Sequence, residues 1–247
     1  MGGRVLVTRP EPGAARTAER LRAAGYEPVV VPLSKIVPLR QSRPTVEFDA
    51  VAVSSANALR HAYPALIGLL LRKPLFAVGD ETAIVAREAG FADVRSSSGS
   101  VTDLARAIAS RVGPSSPVAY LCGRIRRDVL ETELDLQGVR VVPIETYGTH
   151  GRNPTRRELA ALDSGPVAAA LVYSAGAARS LVGLVKSRSG TIFCDTTFIA
   201  ISERVAERLA PVASGRLIAA TSPNEDAMFD LLSGIGHAPA VFPVNLA

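Results

Sequence analysis

Seven places along the chain set a small hydroxyl residue, a glycine or an arginine directly after a short apolar run. They are Thr8-Arg9, Ser54-Ser55, Gly79-Asp80, Cys122-Gly123-Arg124, Tyr173-Ser174, Ser202-Glu203 and Thr221-Ser222. In open α/β sheets ligands bind beyond the carboxyl ends of the strands. The helix that follows each strand offers an anion its unbonded backbone N–H groups and positive dipole end. Any one such turn also reads as a plain helix cap; the pattern, present in both halves, points to an anion-rich ligand. Conventional catalytic arrays are missing. His61, His150 and His237 lie far apart, and none has metal-ligand spacing to another His, Cys or carboxylate. There is no Gly-x-Ser-x-Gly elbow and no Gly-x-x-x-x-Gly-Lys phosphate loop. Gly123, Gly138 and Gly148 form no dinucleotide fingerprint. The expectation is a site without metal or cofactor.

The charge balance agrees. The net charge is +5, and of the 28 basic residues only Lys35, Lys73 and Lys186 are lysines. Guanidinium forks match carboxylates and phosphates bidentately. No basic tract is interleaved with aromatics, so nucleic acid is not an expected partner. No apolar run is long enough to span a bilayer, the longest covering about residues 65–71. The opening Met1-Gly-Gly-Arg-Val-Leu-Val lacks the apolar region and cleavage site of a signal peptide. Two cysteines, Cys122 and Cys194, suit a reducing compartment. A cytoplasmic chain with no membrane contact is expected, and a monomer, since no apolar surface stripe calls for a partner.

The elements that must hold these turns alternate. Runs rich in Val, Ile and Ala, apolar on both faces, recur at 5–7, 29–31, 50–53, 76–78, 118–121, 139–142, 168–172, 199–201 and 217–219. Such runs suit parallel strands covered on both sides by helices. Helical spacing links Ala14, Ala18 and Leu21 before Gly25. It links Val101, Leu104, Ala105, Ile108 and Val112, with Ser100 or Thr102 as cap, and Met228, Leu231 and Leu232 after the Ser222-Pro223-Asn224 turn. The pattern occurs twice. Val51-Ala-Val-Ser-Ser-Ala-Asn-Ala-Leu59 matches Ala170-Leu-Val-Tyr-Ser-Ala-Gly-Ala-Ala178 at an offset of 119 (Val53 to Val172). Leu75-Phe-Ala-Val-Gly79 matches Phe198-Ile-Ala-Ile-Ser202 at 122 (Phe76 to Phe198). The strand, helix, glycine and proline-ended strand from Val5 to Pro32 recur from Val118 to Pro143. Proline-bounded extended segments at 32–38 and 142–148 read as two bridges. The expected architecture is therefore two similar doubly wound parallel-sheet α/β domains joined by a two-segment extended bridge. One is discontinuous, 1–35 plus 148–247, and the other, 36–147, is inserted into it, with the site in the cleft between matching strand ends.

An ordered set of short motifs carries a resemblance: Val5–Thr8 strand end with Arg9-Pro10, Ser54-Ser-Ala-Asn57, Ala77-Val-Gly79 with Thr82-Ala83, Leu121-Cys-Gly-Arg124, Ile144-Glu-Thr-Tyr147, Phe198-Ile-Ala200, and Thr221-Ser-Pro223 with Ala227-Met228. Over nearly its full length the chain resembles the uroporphyrinogen-III synthase family. The resemblance implies a cofactor-free lyase that converts hydroxymethylbilane, a linear tetrapyrrole with many acetate and propionate carboxylates, to uroporphyrinogen III. Loss of the terminal hydroxyl as water creates an electrophile. The last pyrrole ring is attacked at its substituted position, passes through a spiro intermediate, and recloses inverted.

The same resemblance places Tyr147 as the functional tyrosine, either donating a proton to the leaving hydroxyl or packing as a hinge residue. Thr82 matches a helix-start threonine, and Ser54, Ser55 and Asn57 a serine-bearing loop. Arg124 and Arg127, one helical step apart, are candidates to meet carboxylates, while Arg126 reads as solvated surface. Gly79, Cys122, Gly123, Ser174, Ser202, Thr221, Ser222 and Arg9 complete the expected substrate contacts. Two loops depart from the family pattern. Ser202-Glu-Arg-Val205 stands where a Gly-Pro-Thr-Thr-like turn is usual, and Tyr173-Ser-Ala-Gly176 where a Thr-Ser-Pro-like run is usual. They leave open an alternative, a non-catalytic paralogue that binds tetrapyrrole or regulates. A solute-binding protein is a third reading, opposed by the N-terminal sequence.

Overall fold

The structure, a computed structural model, describes residues 2–97, 101–188, 191–214 and 216–235. The elements in chain order are β1 (Arg4–Val7), α1 (Gly13–Ala23), β2 (Glu27–Val30), β3 (Ser34–Pro38), β4 (Ala50–Val53), α2 (Ala56–Arg60), α3 (Pro64–Leu70), β5 (Leu75–Val78), α4 (Asp80–Glu88), β6 (Val94–Ser97) and α5 (Val101–Ala109). They continue with β7 (Pro117–Gly123), α6 (Val129–Asp135), β8 (Arg140–Gly151), α7 (Arg156–Asp163), β9 (Ala169–Val172), α8 (Ala175–Lys186), β10 (Thr197–Ala200), α9 (Glu203–Leu209), β11 (Leu217–Ala219) and α10 (Glu225–Ile235). The chain falls into two compact units, one from residues up to Lys35 together with those from His150 on, the other Ile36–Thr149.

The first unit is a five-stranded sheet in the order β11-β10-β9-β1-β2, parallel throughout. Successive side chains on a strand face opposite ways, and both faces here are dry. Leu6, Ala170, Val172 and Phe198 pack under α8 and α9 with Leu181, Val205 and Leu209. Val5, Val7, Leu171 and Ile199 pack under α1 and α10 with Ala14, Leu21, Met228 and Leu232. The second unit holds a six-stranded sheet, β3-β8-β7-β4-β5-β6. Val51, Val53, Leu75 and Leu121 meet α2, α3 and α4, whereas Ala52, Phe76, Val118, Tyr120 and Cys122 meet α5 and α6. Two segments expected as bridges are the neighbouring strands β3 and the end of β8. Leu39 N–H donates to Thr146 O and Arg152 N–H to Leu33 O, so these two strands run in opposite directions.

The duplication extends to register. β1 sets Val5 opposite Ala169 and β7 sets Val118 opposite Ala50, so offsets of 113 and 119 map one pairing onto the other. Arg4 opposite Glu27 maps in the same way onto Pro117 opposite Arg140. Phe198 lies opposite Leu217 and Leu75 opposite Val94, a common offset of 123. The register thus pairs Phe198 with Leu75, one residue away from the alignment of the two phenylalanines. Strand for strand, β2-β1-β9-β10-β11 is repeated as β8-β7-β4-β5-β6. Helix α1 ends at Gly25, whose φ of 84° is the left-handed conformation that glycine adopts freely. Thr102 lies inside α5 rather than capping it; Ser100 and His237 lie outside the described residues.

Candidate functional site

The carboxyl ends of the strands in each unit bring the expected residues together in two sets. In the second unit Ser55 caps α2, its Oγ accepting Asn57 N–H at 3.3 Å. Ser54 Oγ lies 2.6 Å from the Tyr120 hydroxyl, whose pKa burial pushes up to about 12. The Asn57 side-chain oxygen is buried and has no partner, while its backbone carbonyl faces His61 Nδ1 at 3.0 Å. Gly79 begins α4 at φ 77°, with nothing within 4 Å of where a Cβ would lie. Thr82 sits buried in the first turn.

Tyr147 lies directly on Gly123. A Cβ at Gly123 would come 2.7 Å from Cζ and 2.9 Å from the hydroxyl of Tyr147, so only glycine leaves room for the phenol. A register shift between Cys122 and Gly123 sets Gly123 opposite Tyr147, and Arg124 N–H donates to Tyr147 O at 2.9 Å. The His61 ring is 6.1 Å away, centroid to centroid. Among the described residues the Tyr147 hydroxyl has no hydrogen-bond partner.

Three expectations in this unit are corrected. Cys122 is not at the surface of the site. It is 1% exposed, because β7 runs on to Gly123 and strand alternation turns residue 122 under α5 and α6. Burial pushes its thiol up to about 12. Arg124 and Arg127 are not one helical turn apart, since α6 starts only at Val129. Arg124 pairs with Glu145 at 3.0 Å, and Arg127 is exposed without a partner among the described residues. Arg126 is the inward one. Its side chain is 23% exposed and donates to Glu131 at 2.7 Å, to Gly123 O at 3.3 Å and to Glu145 at 3.4 Å.

In the first unit Ser174 matches Ser55 at the offset of 119 and does the same work, capping α8 by accepting Ala177 N–H at 3.1 Å. Ser202 precedes α9 without a side-chain cap bond. Thr221 and Ser222 are exposed, as are Glu203 and Arg204. Thr8 is fully buried and donates to Leu171 O at 2.8 Å. Arg9 is held in a cluster that sequence reasoning missed. Its Nη1 donates to Glu225 at 3.0 Å, and Glu225 also accepts from Thr17, from Arg20 at 2.8 Å and from the Tyr173 hydroxyl at 2.7 Å. Burial pushes the Glu225 carboxyl up, but these donors outweigh it and leave the group below its ordinary value.

Fold and site together define a class: duplicated parallel α/β sheets that gather N–H groups, hydroxyls and arginines at their strand ends. Among the described residues no helix is long and apolar enough to cross a membrane. The profile of the family described as uroporphyrinogen-III synthase HemD matches residues 15–230. The porphyrin biosynthesis protein HemD of Ruminiclostridium josui is 25% identical over 250 residues, covering 95% of this chain and 49% of that protein. Uroporphyrinogen-III synthase of Saccharomyces cerevisiae is 28% identical over 155 residues, 52% of this chain and 56% of that one. The chain thus spans about half the length of the curated relatives it matches. A crystal structure of uroporphyrinogen-III synthetase from Helicobacter pylori 26695 superposes with a TM-score of 0.64 at 18% identity, covering 95% of this chain and all of that one. The chain belongs to the uroporphyrinogen-III synthase family.

Proposed function

We propose that the chain catalyses the dehydrating cyclisation of hydroxymethylbilane to uroporphyrinogen III. Family membership supports the reaction, and the seat of Tyr147 on Gly123 is the observation in this chain that carries it. The terminal C–O bond breaks and the hydroxyl departs as water, which requires one proton. The Tyr147 phenol, in contact with no acceptor among the described residues, is positioned to donate it. One C–C bond then forms from the electrophilic carbon to the substituted position of the last ring, giving the spiro intermediate. The ring's original C–C bond to its neighbour breaks and re-forms at its other α position, which gives up its proton, and the rest of catalysis is holding the chain folded back on itself. The substrate's carboxylates are proposed to meet the open first turn of α4 at Gly79, together with Ser54, Thr82, Arg124 and Arg127. Backbone N–H groups at such turns favour anions.

The sparse cysteines support a cytoplasmic location, and we propose a monomeric enzyme. The test supplies enzymatically made hydroxymethylbilane and resolves the oxidised products by isomer. Formation of the type III isomer is expected. Type I alone, the spontaneous product, refutes an enzyme and leaves a binding role. A Tyr147→Phe chain that makes type III at full rate refutes the proton-donor role.

A further inference from the structure

Arg9 is fixed more firmly than an arginine that only faces solvent. Its guanidinium lies against Gly13, where a Cβ would come 2.5 Å from Nε, 2.7 Å from Cζ and 2.8 Å from Nη2. Its Cζ lies 4.5 Å from the centroid of the Tyr173 ring. The hydrogen bonds it makes leave from one atom, Nη1, to Glu225 at 3.0 Å and Thr17 at 3.4 Å. Glu225 in turn cannot follow a moving partner. Tyr173, Thr17 and Arg20 also hold it, and Arg20 is tied to Asp226 at 2.6 Å and stacked 4.3 Å over Phe229. What remains of Arg9 is its Nε–Nη2 edge, the fork that fits a carboxylate bidentately. That edge has no acceptor among the described residues, and the side chain is 26% exposed.

We propose that Glu225 and Tyr173 are positioning residues, which hold Arg9 so that its Nε–Nη2 edge receives one carboxylate of the linear tetrapyrrole. The ligand in this inference rests on the cyclisation reading above. Ordering a free arginine would consume much of what the contact supplies, and a fork already held avoids that cost. The cluster also explains how an acidic residue sits beside a polyanion binder. Glu225 and Asp226 balance Arg9 and Arg20, so recognition falls to directed N–H groups rather than to bulk attraction.

The alternative is that Glu225 merely locks α1 to α10. A double-mutant cycle separates the two, with kcat, KM for hydroxymethylbilane, isomer ratio and melting temperature measured for each protein. Glu225→Gln is expected to raise KM about tenfold with kcat little changed, the signature of lost ground-state binding. Arg9→Ala should raise KM at least as far, and the double variant should match Arg9→Ala, because Glu225 acts through Arg9. Tyr173→Phe keeps the ring and loses the hydroxyl that bonds Glu225, so its KM should rise less and in the same direction. It also completes the cycle with Arg9→Ala if Glu225→Gln does not fold. Additive changes in the double variant overturn the proposal. So does a Glu225→Gln KM at or below wild type, the result if relief of repulsion dominates. A wild-type chain that yields type III with additive variants overturns the positioning role alone. One that yields only type I overturns the ligand as well.

Discussion

Replacing Gly123 by alanine separates the seat of the phenol from the stability of the sheet. The added Cβ would stand 2.7 Å from Tyr147 Cζ, 2.9 Å from Cε2 and 2.9 Å from the hydroxyl, whereas ordinary contact begins at 3.4 Å. The ring must therefore retreat by about 0.7 Å, the difference between 3.4 and 2.7 Å. The three nearest atoms all belong to the far end of one side chain. The change costs an off-rotamer tyrosine, about 0.5–1.5 kcal/mol, rather than the larger penalty of a core that cannot move. Catalysis pays more heavily, since a misplacement approaching 1 Å can cost on the order of a hundredfold in rate. Gly123→Ala should thus melt within a few degrees of wild type while forming type III product ten- to a hundredfold more slowly. The assay is initial rate and isomer ratio after oxidation, beside a thermal melt. Gly123→Ala/Tyr147→Ala removes the clashing ring together with its packing on the core under α2, α3 and α4, so it should recover neither the melting temperature nor the rate. Full type III activity in Gly123→Ala would refute the argument that the phenol's place on Gly123 matters.

Two further outcomes follow from burial and charge. Of the two thiols, Cys194 is exposed and Cys122 is buried with its pKa pushed up to about 12, so a thiol reagent near pH 8 should label Cys194 alone until the protein unfolds; rapid labelling of both in the native state would contradict the buried placement. Glu158, through Arg152, and Glu225, through donors that overcome its burial, both titrate below their ordinary value when folded. Their contribution is therefore complete above about pH 4.3, the unfolded value, and is lost as pH falls through the lower folded values. The urea midpoint should decline below pH 4 and decline less in Glu225→Gln; an equal acid slope in both would count against this assignment.

The strand ends were legible because short, local patterns mark them: an apolar run followed by Ser54-Ser55 or Tyr173-Ser174 reads as strand and cap wherever the tertiary structure puts it. β6 carries no apolar pattern because Val94-Arg-Ser-Ser97 is polar, and a strand at a sheet edge needs no second dry face. α7 was missed although Thr155-Arg-Arg-Glu158 is a capping-box signature, and both of its reciprocal bonds form. Cys122 turns inward, against the expectation, because a strand two residues longer decides which way its last side chains point. The Arg9–Glu225 cluster joins residues 216 apart, and no periodicity connects them. Arg126 turns inward, against the expectation of a solvated side chain, for a related reason: the first turn of α6 starts later than the arginine spacing implies.

The nested order of strands also sets an order in time. All of the strands of the six-stranded sheet beyond β3 lie between Ala50 and Gly151, so that sheet is complete as soon as this stretch has been synthesised. β1 and β2 emerge first, yet Val5 pairs with Ala169, and the sheet closes only after β10 and β11 have followed. The β1-α1-β2 segment therefore waits through the synthesis of residues 31–168 with an open strand edge and an uncovered apolar face, the condition in which chains aggregate or recruit chaperones. Ribosome-bound chains halted once Gly151 has cleared the exit tunnel should resist protease across 50–149 and be cut freely within 2–33. Equal protection of the two segments would show that β1 and β2 find shelter before their partners exist.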